Sequence, residues 1–358
     1  MSEVHDTDPI RVKFLARSGS HYSWWRQLPE PGNRWGRCEF LFDPAERDYH
    51  WLVVYDELPA RPSQRFATAT ETLSCPQAQT LLITGEPASV RIYGTGYLSQ
   101  YGRVLTSQEP DIIRHPGAIF SQPGLRWYYG VGGDSLKTYD TMQREGIPRK
   151  TRVFSTVCSN KRQRHTLHSQ RYRFTQRLQQ EVPELDRFGH GVRPLQDKAE
   201  ALDAYRYHLA IENHIAPHHL TEKLTDAFLG GALPFYIGCP NAADYFPAES
   251  FIPLDLYDYP AAVARIRQAL DADEYTQRLP AILEARRRVL EEHNLFAVLA
   301  RIIQAAGPPQ SGTGGLIRSR RAYWRHHPTD RLAGLAVKGR LRLSGWWHTL
   351  NRTLPQRR

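Results

Sequence analysis

Three charged residues stand where their surroundings must explain the charge. Lys223 follows Thr221-Glu222 at the head of an amphipathic run, whose inward stripe is Leu224, Ala227, Phe228 and Gly231. That pattern predicts Thr221 as N-cap and Lys223 in the first helical turn. The free N–H groups there already carry partial positive charge, so a lysine is misplaced unless an anion docks at that end or the side chain turns to solvent. Arg171 falls in the apolar stripe of a helical pattern over residues 165–180, between Leu167 and Phe174. A charge on a buried face needs either an internal carboxylate or a bound anion such as phosphate. Glu86 closes Leu81-Leu82-Ile83-Thr84-Gly85-Glu86. A carboxylate directly after a strand and a glycine lies at the edge where α/β domains hold ligands, or else in an exposed turn before Pro87.

The elements that carry these residues are legible as hydrophobic runs. Residues 207–211 form a β-rich run ending in Glu212-Asn213; a loop, the Thr221-capped helix and a second run, Leu233–Ile237, follow. This is the strand–loop–helix–strand unit that places ligands at the carboxyl ends of parallel strands. Ile10–Ala16, residues 38–42, Trp51–Tyr55, Thr80–Ile83 and residues 153–157 read as further short strands between Pro, Gly and polar clusters. Residues 91–129, rich in Tyr, Gly and Trp, read as surface loops around one strand, Arg103–Thr106. Gly94-Thr95-Gly96 lacks the third glycine of a dinucleotide fingerprint. Residues 260–270 and 281–305 are amphipathic helix patterns, and a Gly/Pro/Ser-rich linker follows at 307–315.

At 358 residues, 41% hydrophobic and 23% charged, the chain has material for two globular domains. Its four cysteines, Cys38, Cys75, Cys158 and Cys239, are scattered, against a disulfide scaffold or zinc site and for a reducing compartment. No signal-peptide pattern opens the sequence and no apolar run is long enough to span a bilayer. The net charge of +10 resides in the last 48 residues, which hold eleven Lys/Arg and one acid, Asp330; the other 36 basic and 36 acidic groups balance. A neutral body argues against a nucleic-acid binder. The histidines His208, His214, His218 and His219 do not form a metal-ligand pattern, because Pro217 breaks the helix that would align His214 with His218. The D-x-D at Asp271-Ala272-Asp273 lies in a helical stretch.

ENHIAPHHLTEK (212–223), ALPFYIGCPN (232–241) and YFPAESFI (245–252) together resemble the donor-binding signature of the α-1,3-fucosyltransferases, glycosyltransferase family ten, of bacterial type. The resemblance covers about 150 residues. It implies an α/β chain of the GT-B class, two Rossmann-like domains facing a cleft. Residues 1–150 would be the acceptor-side domain, 151–306 the nucleotide-sugar domain, and 307–358 a linker and basic tail. It also implies inverting transfer of L-fucose from GDP-fucose to a glycan hydroxyl, as in surface polysaccharide or lipopolysaccharide synthesis. Glu86 matches the family's proposed general base, although Pro87-Ala88-Ser89 departs from the usual continuation. Arg171, in R-x-x-F-x-x-x-L, and Lys223 match the residues that hold the diphosphate. Asn213 and Glu222 would contact ribose or sugar hydroxyls, and His219 stands where the family carries tyrosine. No cofactor or metal is implied, the two cations replacing a divalent ion at the departing diphosphate. Two alternatives remain: the same scaffold with another nucleotide sugar, or a non-catalytic membrane-associated protein that binds glycan or nucleotide. The aromatic stretch 21–25 is read as hydrophobic core or as an acceptor-sugar surface.

In the tail, Leu332, Leu335, Ala336, Leu343, Trp346, Trp347 and Leu350 share one helical face flanked by Arg331, Lys338 and Arg342. That composition predicts an interfacial helix lying on an anionic membrane through residues 331–350, hence a cytoplasmic protein held peripherally at the inner face. A helix packed on the protein's own core is a second reading, and partner binding or nucleic-acid contact by the tail are further ones. On the membrane reading, removal of residues from 316 onward leaves activity on a soluble acceptor intact.

Overall fold

The computed structural model describes residues 8–17, 23–60, 69–124, 126–160 and 167–353, with side chains to residue 341. In chain order its strands are β1 (Ile10–Ala16), β2 (Arg34–Trp35), β3 (Cys38–Leu41), β4 (Trp51–Tyr55), β5 (Thr70–Thr72), β6 (Thr80–Ile83), β7 (Arg103–Thr106), β8 (Ala118–Phe120), β9 (Val131–Gly132), β10 (Ser135–Leu136), β11 (Arg152–Val157), β12 (Leu185–Phe188), β13 (Tyr205–Ile211), β14 (Leu233–Ile237), β15 (Ile252–Pro253) and β16 (Leu316–Arg318). The helices are α1 (Thr95–Leu98), α2 (Tyr139–Glu145), α3 (His168–Glu181), α4 (Glu222–Leu229), α5 (Tyr259–Asp271), α6 (Glu274–Glu291), α7 (Leu295–Ala305), α8 (Arg320–His326) and α9 (Pro328–Thr353).

The chain forms two compact α/β units, each built on a parallel sheet, as the GT-B class requires. They do not follow the sequence in three consecutive blocks. The first comprises Met1–Ser23, Gly36–Pro123 and Ile302–Arg358; the second comprises Trp24–Trp35 and Gly124–Arg301. The expected division at 150 and 306 therefore differs from the compact units at both ends, and the tail is not a separate segment.

In the first unit the strands run in the order β3-β1-β4-β6-β7-β8, every neighbour parallel. Leu52, Val53, Val54, Leu81, Leu82 and Ile83 are 0% exposed, which is why these strands read as unbroken apolar runs rather than alternations. The reading of 91–129 as surface loops fails for its aromatic residues. Tyr93, Tyr97 and Tyr101 pack in the core with Leu15, Leu58 and Ile317. Tyr97 and Tyr101 share a hydrogen bond of 3.1 Å that lets their hydroxyls be buried.

In the second unit the order is β12-β11-β13-β14-β15, again all parallel. The strand order reverses between β11 and β13, and the crevice at their carboxyl ends is the topological switch point where such sheets take ligands. One face is covered by α4 and α6, with Leu224, Ala227, Phe228, Ala285 and Val289 in its core; the other carries Phe174, Leu178, Phe235 and Ile266. The single helix expected over 281–305 is two helices. Asn294, 0% exposed, donates to Gln27 O at 2.7 Å and accepts from Phe296 N at 3.0 Å, so α7 starts afresh after α6 ends. Trp24, 4% exposed, is buried and Trp25, 38% exposed, lies at the surface; His21 and Tyr22 lie outside the described residues.

Candidate active site

The second unit's sheet opens at its switch point into a cavity of about 240 Å³. Val157 lines it from the end of β11 and Ser159 just after it, Gly189 and His190 after β12, and Asn213 after β13; Arg171 comes from α3 and Glu222, Lys223 and Asp226 from the first turns of α4. The structure thus brings together four of the six residues singled out from the sequence: Arg171, Asn213, Glu222 and Lys223.

The α4 end is built as the sequence predicts. Thr221 is extended (φ −124°, ψ −175°), and its hydroxyl accepts from Lys223 N. Below it the Glu212 carboxylate, 0% exposed, accepts from Thr221 N at 2.8 Å and from Thr221 Oγ1 at 2.7 Å. The carboxylate at the end of β13 therefore fixes the start of the next helix. The helix ends at Gly230 and Gly231. Gly231 has φ +68°, and a Cβ there would come within 2.6 Å of Ile147.

Lys223 is neither frayed into solvent nor unpaired. Its Nζ lies 2.9 Å from Thr221 Oγ1, 3.1 Å from Glu222 Oε1 and 3.4 Å from Glu212 Oε2. The counter-charge that a lysine in this turn requires is thus supplied in part by two carboxylates, one of them buried.

Lys198 was missed in the sequence. It opens a short 3-10 turn, Lys198–Ala201, held by an Asp197–Glu200 capping box. That D-x-x-E spacing was the available signal that a turn starts there. Lys198 Nζ donates to Asp226 Oδ2 at 2.8 Å and stands 3.7 Å from Glu222 Oε1. Burial alone raises the Glu222 carboxyl; Lys223 and then Lys198 outweigh it and hold Glu222 below the usual carboxylate range. Burial raises Asp226, and Lys198 opposes that rise.

Arg171 is the cation whose charge is not matched. It is 6% exposed, its guanidinium donates to the neutral Asn213 Oδ1, and its Nε has no hydrogen-bond partner among the described residues. No ion pair of Arg171 occurs among the described residues. Buried polar groups are almost always satisfied, so a guanidinium half-satisfied at a cavity wall is placed for something that enters the cavity.

Two of the expected residues stand apart. His219 does not line the cavity: it is 5% exposed and packs edge-on against His214 with ring centroids 5.5 Å apart. Burial pushes it down to about 4, so it is neutral near pH 7. Glu86 belongs to the first unit, three residues after β6, and is partly exposed. Gln108 Nε2 donates to Glu86 O at 2.7 Å and to Arg91 O at 2.9 Å, fastening the chain on either side of Pro87. Among the described residues, no group of three His, Cys, Asp or Glu is placed to hold a metal ion.

Residues 147–278 match the family model described as glycosyltransferase family 10 (fucosyltransferase) C-term. A 4-galactosyl-N-acetylglucosaminide 3-alpha-L-fucosyltransferase of Pan troglodytes is 35% identical over 181 residues, 46% of this chain and 49% of the relative. A 3-galactosyl-N-acetylglucosaminide 4-alpha-L-fucosyltransferase of Pan troglodytes is 34% identical over 130 residues, 35% of this chain and 33% of the relative. The chain spans about half or less of the length of these curated relatives. Among solved structures, a crystal structure of an alpha1,3-fucosyltransferase with GDP-fucose aligns with a TM-score of 0.45 at 15% identity, covering 83% of this chain and 94% of the other. The resemblance to glycosyltransferase family ten is thus upheld over residues 147–278, which carry most of the cavity's lining.

Proposed function

We propose that this protein is a fucosyltransferase that moves L-fucose from GDP-fucose to a hydroxyl of a glycan, with inversion at the transferred carbon. The observation that carries the reading is Arg171, a buried guanidinium without a carboxylate partner among the described residues, at the wall of a switch-point cavity that Lys223 shares. An entering diphosphate gives Arg171 the anion it lacks. It also competes for Lys223 with Glu212 and Glu222, and Glu222, which lines the cavity, then accepts hydrogen bonds from ribose or sugar hydroxyls.

In this reading the glycosidic carbon–oxygen bond to the diphosphate breaks as the acceptor oxygen bonds to the same carbon. Glu86 takes the acceptor proton, and Arg171 and Lys223 neutralise the charge that develops on the leaving phosphate. Asn213 orients Arg171 and contacts the donor. His219, buried and neutral, supports the loop before Thr221 rather than touching the donor, which moves it from a contact to a positioning residue. With three cations present at the cavity, transfer is expected to proceed without a divalent ion.

We assign the exposed face of α9 to an anionic membrane surface. Leu332 and Leu335 are 64% and 54% exposed beside Arg331. The side chains of Arg342, Leu343, Trp346, Trp347 and Leu350 lie outside those described. Among the described residues no helix is long and apolar enough to cross a membrane. The acceptor on this reading is a glycan of the cell surface assembled at that membrane.

A panel of nucleotide sugars, read by calorimetry and by donor hydrolysis in chelator, tests the donor. GDP-fucose is expected to bind and turn over, and preference for another nucleotide sugar overturns the fucose assignment. Glu86→Gln is expected to abolish transfer while GDP binding persists; unchanged transfer removes Glu86 from its role. Loss of protein from anionic vesicles on replacing Leu332 and Leu335 by Ser checks the membrane assignment.

A further inference from the structure

In the first unit the stretch Gly94-Thr95-Gly96 lies against the C-terminal segment. The C-terminal segment is not a free tail. Strand β16 pairs antiparallel with β5, Ile317 (1% exposed) enters the core, and Ser319 N donates to Ala69 O at 2.9 Å. Arg320 N donates to the buried Glu57 carboxylate at 2.9 Å, and its guanidinium, between the rings of Tyr93 and Trp324, donates to Ile92 O at 2.6 Å. Asp330 then receives two bonds, Oδ1 from Gly96 N at 2.9 Å and Oδ2 from Trp324 Nε1 at 3.1 Å. One turn or two further on, Lys338 Nζ donates to Val90 O at 3.0 Å.

Every one of these contacts with residues 90–96 falls on the loop that continues from Glu86. Its glycines are shaped by the docking. A Cβ at Gly94, whose φ is +86°, would stand 2.5 Å from Asp330 Oδ2, and one at Gly96 would stand 2.6 Å from Tyr323 Oη. The loop is short of regular structure of its own: α1 is one turn, and Gln108 is its other clamp, holding the carbonyls of Glu86 and Arg91. Two clamps thus hold one loop, Gln108 on one flank and the chain's last helices on the other.

We propose that residues 316–338 are a brace that sets the conformation of the Glu86 loop, with Asp330 as its positioning residue, so that the C-terminal segment is part of the acceptor-side machinery. The proposal rests on the reading of Glu86 as the base. It reverses the expectation that removal of the tail leaves activity on a soluble acceptor untouched. The brace acts through backbone amides and carbonyls, so loop position, and not the charge of Glu86, is what it controls.

Deleting residues 316–358 removes Ile317 from the core and risks unfolding, so the test uses Asp330→Ala and Gly94→Ala in the full chain, with Asp330→Asn as the conservative variant. Hydrogen exchange of the amides from Gly94 to Leu98 is expected to speed about tenfold in Asp330→Ala, the size set by losing a charge-assisted bond to a backbone N–H. Transfer kcat/KM for a soluble acceptor is expected to fall about tenfold while GDP affinity stays within twofold, and Asp330→Asn, which keeps an oxygen for Gly96 N, is expected to recover much of both. Unchanged exchange and kinetics overturn the brace, as does an equal loss of GDP affinity, which would mark general destabilisation. If the wild type and Glu86→Gln do not differ in transfer, the reading of Glu86 has failed, and the exchange data alone then decide whether the segment holds the loop.

Discussion

Replacing Arg171 by Met separates a guanidinium kept for a ligand from one kept for the fold. Met has a similar reach and no charge. On the stability side, the loss is the hydrogen bond to Asn213 Oδ1, and such a bond contributes about 1–2 kcal/mol. The gain is the removal of a 6%-exposed cation with an unsatisfied Nε and no carboxylate partner among the described residues. An unsatisfied buried donor costs about 1–3 kcal/mol, and a buried charge without its pair costs more. The two nearly cancel, so urea unfolding of the apo protein is expected to change by no more than about 1 kcal/mol, in either direction. On the binding side, losing a desolvated, charge-assisted contact to a phosphate costs roughly 2–4 kcal/mol. GDP affinity, read by calorimetry, is therefore expected to weaken about 30- to 1,000-fold at nearly constant stability. Loss of more than about 3 kcal/mol of stability with unchanged GDP affinity would refute the reasoning, because Arg171 would then be serving an internal partner.

Other perturbations follow from the same geometry. Lys198→Met strands Asp226, 1% exposed, without its cation; a loss of about 3–5 kcal/mol is expected in urea unfolding, and adding Asp226→Asn should restore most of it. Glu212→Gln removes the charge that faces Lys223 at 3.4 Å and weakens the bonds to Thr221, so about 2 kcal/mol of stability should go. The same variant should raise the fraying of α4 seen by amide exchange. Acid acts through His219, whose burial lowers it from 6.5 to about 4. The unfolded chain binds the extra proton across that window, so the contribution is complete above about pH 6.5 and is lost as pH falls towards 4, up to about 3 kcal/mol. Melting temperature against pH should fall across that range and fall less steeply in His219→Phe, where His208, which burial lowers to about 3, still contributes.

What could be read from sequence follows from how each feature encodes itself. Strands Ile10–Ala16, Thr80–Ile83, Arg103–Thr106 and Leu233–Ile237 were legible to the residue, because strands buried on both faces are short unbroken apolar runs. The Thr221 cap was legible because an N-cap is a local signal. Strands β5 and β16 were not, since TET and LIR bear no pattern and exist only by pairing with each other across more than 240 residues. Tyr97 and Tyr101 looked like loop residues, and their mutual hydrogen bond, with that from Tyr97 Oη to Glu57 Oε1, shows why they are core. At the site, Arg171 announced itself by a charge in an apolar stripe. Lys198 did not, because its partner Asp226 lies 28 positions on and helical periodicity cannot pair the two.

The interleaving of the two units has a consequence for how the molecule is made. The first unit opens with β1 but closes only when β16 and α8 have been synthesised, whereas the second is contiguous from Gly124 to Arg301. At about 5–20 residues per second, roughly 10–35 s of synthesis separates Pro123 from Ile302. During that interval β5 has no partner strand, and the surface that Ile317 will cover stays open to solvent or to a chaperone. The part begun first is therefore finished last, and the second unit is expected to be folded on the ribosome before it.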